Sequence, residues 1–441
     1  MHNERNRERA LNVIQKMFEL GHINEEEYEE AQEKLENNDF GLIGLEEQEM
    51  YSYFTDALYE NLVDDLMQSE EFTFQTREEA QNYLLNSGLV IHSTIDPRVQ
   101  EILDRNFKDD GLFPNQTQSA RQASEALTEE LGEEVNFTPE GAMVIIENET
   151  GHVAGIIGGR NKEGSRSLNR ATRPFQIGST TKPLTVYGPG LDSKKITLAK
   201  TYDDVPIAIG SWTPTNAGIT DFAGMTSVRE GLRRSKNVVT VQAWFDVGLQ
   251  TSADYADKLG LDIIKEGDIN DMNPAALSLG GYTRGQTALA MASAYSTFPN
   301  MGARNHPVMY THIEDKDGKT IFEKEQEVTR VFSEQTAYLM TNVLMDVVRG
   351  GTTSISVPGT QIAGKTGTTD DQMHAWFAGY TKEYSAAVWY GYDENKVTAN
   401  GRTYDLHIGI YGGSRPGPAS MWQSVMREVH ETMENSSLPG N

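Results

Sequence analysis

Three pairs of short apolar runs, each pair joined by a turn, restrict what this 441-residue chain can fold into more than any other feature. The pairs occupy residues 142–159, 311–323 and 375–392, and the turns of the first two contain Gly151 and Gly318. Short apolar and β-branched runs on either side of such a turn are typical of β-hairpins. The sequence therefore predicts three antiparallel hairpins.

Two helical stretches, residues 287–298 and 334–348, lie between the hairpins. Hairpins at both ends of a region, with helices between them, favour an antiparallel sheet flanked by helices. We therefore predict an α+β domain that begins near residue 141. The hydrophobic share of 37% and the charged share of 23% are those of an ordinary folded protein, and the length allows two or three domains.

The first 140 residues are predicted to be mainly helical and to precede this domain. A capping-box pattern, Asn24 followed by Glu27, marks the start of one helix. The predicted elements are two helices within residues 4–37, a helix at 50–70, a strand at 88–96, a helix from Pro97, and a helix with a mobile linker within 107–140.

Charge and composition exclude several classes of protein. The formal net charge of −27 repels nucleic acid and anionic membrane surfaces. The absence of cysteine excludes thiol nucleophiles, iron–sulfur clusters and cysteine-ligated zinc. Nine histidines are scattered singly, and the calcium-like start at residues 315–318 continues as a hairpin turn, so we predict no metal and no cofactor. No apolar stretch reaches the length of a membrane span.

The segment around Ser179 is the first candidate for chemistry. Ser179 and Lys182 are three residues apart, so on a helix they share one face. Because proline is tolerated only in the first turn of a helix, Pro183 places the helix start close to Ser179, with free backbone N–H groups beside the hydroxyl. A serine within reach of a neutral lysine is a nucleophile with its base. Alone, this Ser-x-x-Lys pattern is most often a capped surface helix.

Two further motifs follow along the chain. Ser235 and Asn237 form a Ser-x-Asn pattern, which in isolation is most often a helix cap or a loop hydrogen bond. Lys365, Thr366 and Gly367 form a Lys-Thr-Gly pattern before an apolar run. A strand is expected there, and a glycine lets a ligand backbone approach its edge. The three motifs in this order are a strong combined signal.

In these motifs the chain resembles the penicillin-binding proteins and the serine β-lactamases. The flanking segments narrow the resemblance to the transpeptidase part of a class A penicillin-binding protein. These segments are LNRATRPFQIGSTTKP (168–183), GSWTPTN (210–216), REGLRRSKNVVTVQ (229–242), LSLGGYTRGQTALAMASAYSTF (277–298) and AGKTGTTDDQMHAWFAGY (363–380). The family usually has an aromatic residue before the motif lysine, where this chain has Thr181, so we expect altered packing behind the lysine without loss of chemistry.

The resemblance also implies a domain organisation. Residues 1–50 resemble the C-terminal end of the glycosyltransferase domain that precedes the transpeptidase in this class. We expect that remnant at 1–50, a linker region at 51–140, and the penicillin-binding transpeptidase domain at 141–432. The body of the glycosyltransferase and its membrane anchor are expected to be missing. The chain would then be a soluble fragment of a protein on the extracytoplasmic face of the bacterial cell membrane.

By resemblance, five residues have catalytic roles in a D,D-transpeptidase. Ser179 would attack the carbonyl between two terminal D-alanines of a peptidoglycan stem peptide. Lys182 would take the serine proton, with a pKa lowered by burial and by cations such as Lys365. Ser235 and Asn237 would pass a proton to the leaving amine and hold the substrate amide.

The resemblance implies further roles in binding. The backbone N–H groups of Ser179 and Thr368 would form the oxyanion hole. The hydroxyls of Thr366 and Thr368 would bind the terminal carboxylate of the substrate. Gly367 and Trp212 complete the expected substrate-binding set.

Rival functions use the same residues. A D,D-carboxypeptidase has water as its acceptor. A class A β-lactamase deacylates with a glutamate of an E-x-x-L-N motif, and none occurs between Asn237 and Lys365. β-Lactamase classes with a modified lysine are disfavoured by the length and the N-terminal segments. A non-catalytic cell-wall scaffold or β-lactam sensor has no need of Lys182.

The expected partners follow from the resemblance. They are stem peptides, as D-Ala-D-Ala donor and amine acceptor, and β-lactams, which would leave Ser179 blocked. Other cell-wall synthesis proteins are possible partners. No nucleic acid is expected, and the membrane is expected only through the missing anchor.

Overall fold

The computed structural model describes residues 2–36, 52–160, 162, 167–217, 221–433 and 435–438. The chain divides into two compact units, Met1–Met50 and Tyr51–Asn441. The predicted boundary at residue 50 lies outside the described residues. No described helix combines the length and the apolar character that crossing a bilayer requires.

The first unit contains two helices, α1 (His2–Glu19) and α2 (Glu25–Glu36). At the start of α2, the Asn24 N–H donates to Glu27 Oε2 and the Glu27 N–H donates to Asn24 Oδ1, each at 2.9 Å. The two bonds satisfy backbone donors that have no partner within the helix. The predicted capping box is therefore confirmed.

The second unit contains the remaining elements. Its helices are α3 (Tyr53–Gln68), α4 (Arg77–Asn86), α5 (Pro97–Phe107), α6 (Gln118–Leu131), α7 (Gly188–Asp192), α8 (Val228–Arg233), α9 (Asn237–Val247), α10 (Leu249–Lys258), α11 (Pro274–Leu279), α12 (Ala288–Ser296), α13 (Glu334–Val348) and α14 (Pro418–His430). Its strands are β1 (Val90–Ser93), β2 (Glu140–Glu147), β3 (Val153–Ile157), β4 (Thr201–Asp204), β5 (Gly224–Ser227), β6 (Ala303–Asn305), β7 (Tyr310–Glu314), β8 (Thr320–Glu323), β9 (Val328–Arg330), β10 (Ala363–Thr368), β11 (Ala375–Tyr380), β12 (Tyr384–Gly391), β13 (Lys396–Ala399) and β14 (Arg402–Asp405).

The central sheet has five antiparallel strands in the order β10-β11-β12-β2-β3. All three predicted hairpins are confirmed, as β2–β3, β7–β8 and β11–β12. The two predicted helical stretches form α12 and α13. The α+β class, with an antiparallel sheet flanked by helices, is confirmed.

Helices cover the sheet, which explains why β11 and β12 are buried along their whole length. The helices α12 and α14 contact β12, and α13 contacts β10. Trp376, Trp389 and Trp422 are among the largest fully buried side chains. Burying aromatic residues of this size supplies much of the hydrophobic stabilisation of a core. The strand β10 remains at one edge of the sheet, next to the candidate active site.

The region predicted as a linker packs within the second unit. The Gln100 side chain on α5 donates to Ile156 O and accepts from the Ile156 N–H, both at 3.0 Å, and so pairs with edge strand β3 as another strand would. After α6, the Phe137 N–H donates to Ser124 Oγ at 2.9 Å. The part of residues 107–140 that was predicted to be a mobile linker is therefore held by fixed contacts, which its polar sequence did not indicate.

Candidate active site

Ser179 lies in a short 3₁₀ helix, Gly178–Thr181, which continues as a helical segment, Pro183–Tyr187. The predicted helix start close to Ser179 is therefore confirmed. Ser179 is partly exposed, whereas Lys182 is completely buried. The Ser179 hydroxyl can thus contact a ligand, whereas the Lys182 side chain lies behind it, enclosed by protein.

Three glycines allow three backbone segments around Ser179 to pack directly against one another, with no side chain between them. A Cβ on Gly178 would lie 2.4 Å from Thr368 O, and one on Gly367 would lie 2.3 Å from Ile177 O. On the other side, a Cβ on Gly280 would lie 2.1 Å from Gly178 O. The glycine of the Lys-Thr-Gly motif thus makes room for the serine segment, a role that the sequence did not indicate.

The Ser-x-Asn motif forms a strained turn before α9. Ser235 has φ +60°, a conformation that costs a residue with a side chain about 1–3 kcal/mol. Asn237 is the first residue of α9, and its N–H donates to Asn216 Oδ1 at 2.8 Å. The Val238 N–H donates to the same oxygen at 3.3 Å. Asn216 therefore caps the helix from a distant loop.

An ion-pair group, which we call the Lys236 clamp, holds this turn. Lys236 Nζ donates to Asp221 Oδ2 at 2.8 Å and lies 3.4 Å from Asp204 Oδ2. Asp204 is completely buried, and its other oxygen accepts from Asn216 Nδ2 at 2.8 Å. The clamp thus joins the residue inside the motif to the residue that caps α9. Sequence reasoning missed the clamp, although Asn216 belongs to the quoted GSWTPTN segment.

The two motif lysines meet at Ser235. Lys182 Nζ is 3.2 Å from Ser235 Oγ, and Lys365 Nζ is 2.8 Å from the same oxygen. Lys182 Nζ also donates to Ser235 O at 2.8 Å and to Asn237 Oδ1 at 2.6 Å. The predicted hydrogen bond from Lys182 to Ser179 is not among those in the described part of the chain. Catalytic hydrogen bonds often form fully only once substrate is bound.

Burial sets the protonation of both lysines. It lowers the pKa of Lys365 to about 7. Burial, and then the nearby charge of Lys365, lowers the pKa of Lys182 well below the usual lysine value. Neither lysine forms an ion pair with a carboxylate among the described residues. Both shifts favour the neutral amine at Lys182, which is the form that a general base needs.

One cleft, with a volume of about 1170 Å³, collects most of the predicted site. Ser179, Ser235, Asn237, Thr366 and Thr368 all line it. Because Lys182 and Lys365 are completely buried, they contribute from behind this lining. The predicted site residues on three separate segments are thus brought together.

Residues from outside the three motifs also lie beside the cleft and contact the motif residues. Trp212 lines an adjoining cleft that also contains Ser179 and Thr368. Thr366 Oγ1 donates to Thr352 Oγ1 at 2.7 Å, and the Gly412 N–H donates to Thr368 Oγ1 at 3.0 Å. Thr352 and Gly412 come from segments without a recognisable motif, so sequence reasoning had no signal for them.

The packing around Thr181 differs from the family pattern in a specific way. Thr181 is buried, and its hydroxyl lies 2.7 Å from the Tyr282 hydroxyl and 3.0 Å from Thr185 Oγ1. An aromatic side chain therefore reaches this place from the segment after α11. Hydrogen bonds satisfy the buried hydroxyls, which removes the cost of leaving them unpaired.

Known proteins resemble this chain over most of its length. The family model described as the penicillin binding protein transpeptidase domain matches residues 141–437. The chain belongs to this family. Among curated relatives, penicillin-binding protein 1A of Clostridium tetani is 32% identical over 99% of this chain and 55% of its own length. Penicillin-binding protein 1F of Bacillus subtilis is 30% identical over 100% of this chain and 56% of its own length.

By family, these relatives place the chain among the class A penicillin-binding proteins. The chain spans about half the length of these relatives. Among solved structures, that of the PonA1 protein from Mycobacterium tuberculosis in complex with penicillin V matches with a TM-score of 0.65. The identity is 23%, over 87% of this chain and 95% of that one. The fold is that of penicillin-binding transpeptidases.

Proposed function

We propose that this penicillin-binding domain is a serine D,D-transpeptidase that cross-links peptidoglycan stem peptides through an acyl-enzyme on Ser179. The observation that carries the proposal is the arrangement of two buried lysines around one serine hydroxyl. Lys182, whose pKa is lowered by burial, is joined through Ser235 Oγ to Lys365, and Ser179 lines the cleft beside them.

In acylation, Ser179 Oγ bonds to the carbonyl carbon of the penultimate D-alanine while its proton passes to Lys182. Backbone N–H groups of Ser179 and Thr368 stabilise the oxyanion, an effect typically worth about 3–4 kcal/mol of barrier. The carbon–nitrogen bond then breaks, and Ser235 relays the proton from Lys182 to the leaving D-alanine amine. The hydroxyls of Thr366 and Thr368 hold the terminal carboxylate.

In the second step, an amine of another stem peptide attacks the acyl carbon. Its proton passes to Lys182 and returns to Ser179 as the ester bond breaks, so the enzyme is regenerated and a cross-link is left. Of the described residues that line the cleft, none is a glutamate. The lining thus contains no counterpart of the glutamate with which class A β-lactamases deacylate, and the proposal takes an amine as the acceptor.

A β-lactam would acylate the same serine and remain attached, since its leaving group stays tethered to the product. The penicillin V complex of PonA1, which has the same fold, supports this part of the proposal. We further propose that the parent protein works at the extracytoplasmic face of the membrane with other cell-wall synthesis proteins. The division into a glycosyltransferase end at 1–50, a linker at 51–140 and the transpeptidase at 141–432 belongs to the same proposal.

An intact-mass time course with a simple penicillin tests the nucleophile. We expect the parent chain to gain the mass of one penicillin and to keep it, and Ser179→Ala to gain nothing. An adduct that disappears within seconds would indicate a β-lactamase. An adduct on Ser179→Ala would contradict the assignment of the nucleophile.

A stem-peptide donor, supplied with and without an amine acceptor, tests the reaction. A product of higher mass that contains both donor and acceptor supports the transpeptidase. Loss of D-alanine alone, at the same rate in both mixtures, would indicate a D,D-carboxypeptidase. Stable penicillin binding with no turnover of either kind would indicate the sensor.

A further inference from the structure

Three side chains that can bind a metal meet outside the two clefts, on the small sheet of β1, β7 and β8. His92 on β1 lies directly opposite His312 on β7, and Glu314 is two residues further along β7 on the same face. One ligand atom from each of the three lies within 4.8 Å of the others. Residues that were scattered singly in the sequence are thus brought together by strand pairing.

The two histidine nitrogens lie near different oxygens of Glu314, at distances close to those between the ligand atoms of a tetrahedral ion. His92 Nε2 is 3.2 Å from Glu314 Oε2, and His312 Nε2 is 3.7 Å from Glu314 Oε1. Around Zn²⁺, bonds of about 2.0–2.2 Å keep the ligand atoms roughly 3.3–3.6 Å apart. The two rings are stacked, with centroids 3.9 Å apart and planes inclined by 12°. A turn about the second side-chain torsion, which is soft, would aim both nitrogens at one ion.

The contacts of the two rings are compatible with metal binding through Nε2 of each. Thr311 Oγ1 donates weakly to His92 O at 3.4 Å and lies 2.8 Å from His312 Nδ1. In the tautomer in which Thr311 Oγ1 accepts from His312 Nδ1–H, Nε2 carries the lone pair that a metal ion needs. His92 Nε2 is a buried atom that lies 3.2 Å from Glu314 Oε2, but the two do not form a hydrogen bond of good geometry. A metal ion held between this nitrogen and the carboxylate would satisfy both groups.

We propose that His92, His312 and Glu314 bind one Zn²⁺ ion, which fastens β1 to β7. Two imidazoles and a carboxylate are ligands that zinc accepts, with a water molecule in the fourth position. Beyond β1, the Thr94 hydroxyl contacts Val153 O at 3.0 Å and Val308 O at 2.9 Å. The ion would therefore strengthen the join between the segment before the transpeptidase domain and the sheet.

Titration calorimetry of the metal-free 441-residue chain with ZnCl₂ tests this site. We expect one saturable site per chain, and an affinity at least about tenfold lower in His92→Gln, His312→Gln and Glu314→Gln. Mg²⁺ should not compete, since it prefers all-oxygen octahedral sites. The chain has no cysteine, so no thiolate can produce the signal. Absence of a saturable site in the parent chain would overturn the proposal.

His306→Gln is the matched control. His306 Nδ1 lies 3.3 Å from Glu327 Oε2, and its side chain is 33% exposed against 30% for His312, but among the described residues no second histidine joins it in a metal-binding cluster. This variant should keep the parent affinity. An equal loss in His306→Gln would mean that zinc binds to scattered surface histidines, and the proposed site would be wrong.

Two further readouts separate metal binding from folding. Zn²⁺ should raise the thermal midpoint of the parent chain and not that of Glu314→Gln, whose substitution is the mildest of the three. Co²⁺ in place of Zn²⁺ should give the visible absorption of a four-coordinate site. If Glu314→Gln, still folded by circular dichroism, bound zinc as tightly as the parent chain, Glu314 would not be a ligand and the proposal would fail.

Discussion

Lys236 stands between the serine and the asparagine of its motif, and its side chain fixes their geometry through the Lys236 clamp. A strained Ser235 persists only where its surroundings hold it, and here Asp204, Asp221 and Asn216 do so. The proposed proton path runs through Ser235. We therefore treat Lys236 as a positioning residue for that path.

Lys236→Met should slow acylation by penicillin by roughly 10- to 100-fold, since a misplacement of about 1 Å can cost this much in rate. It should also lower the free energy of unfolding by roughly 3–5 kcal/mol, because Asp204 is left as a buried charge without its cation. Stopped-flow acylation and urea unfolding measure the two effects.

The control is Lys200→Met, which removes the half-exposed ion pair of Lys200 with Asp246. Exposed pairs contribute little, so this variant should lose at most about 1 kcal/mol and acylate at the parent rate. Lys236→Arg, which keeps the positive charge, should recover part of the acylation rate. A normal rate in Lys236→Met would show that the clamp does not position Ser235.

At the scale of elements, the close backbone packing around the 3₁₀ helix of Ser179 gives a second prediction. Gly280→Ala adds a Cβ that would lie 2.1 Å from Gly178 O, at a residue with φ +82°. The substitution should displace the serine segment and reduce acylation at least about tenfold, with a further backbone cost of about 1–2 kcal/mol. Penicillin acylation and thermal unfolding are the measurements.

The adjacent glycine supplies the comparison. In Gly281→Ala the nearest atom to the new Cβ is Ala275 O, at an ordinary 3.5 Å. This variant should acylate close to the parent rate. If the two alanine variants behaved alike, the spacing between Gly280 and Gly178 would have no influence on the nucleophile.

The elements were predictable where the information is local. The hairpins follow from turn residues such as Gly151, and the helix start at Ser179 follows from Pro183. The contacts between elements were not predictable in this way. Tyr282 reaches Thr181, 101 residues away along the chain, and only the folded structure brings the two together. The motifs thus indicated which residues meet in the candidate site, but they did not indicate that Lys182 bonds to Ser235 and not to Ser179.

For the whole molecule, the two buried lysines make stability depend on pH. The pKa of Lys365 falls from 10.5 to about 7 on folding. Between these values the unfolded chain binds a proton that the folded chain does not, so the folded state loses stability as the pH falls through this window. Below about pH 7 the lysine is protonated in both states, and this contribution changes no further.

The unfolding free energy of the parent chain should therefore rise, relative to that of Lys365→Met, as the pH rises from about 7 to 10. The total change is of the order of a few kcal/mol. Urea unfolding across this range measures it. Lys396→Met, which removes an exposed lysine, should show a nearly flat difference. A flat difference for Lys365→Met as well would mean that its pKa is not lowered by folding.

Because no described carboxylate pairs with the two buried lysines, the binding of a ligand and the stability of the folded chain depend on each other. Among the described residues the protein supplies hydroxyl and carbonyl oxygens to Lys182 and Lys365, and no anion. A ligand with a carboxylate would bring the missing negative charge. Such a ligand would raise the pKa of Lys365 as it bound, take up a proton near neutral pH, and stabilise the folded chain before any bond to Ser179 is made.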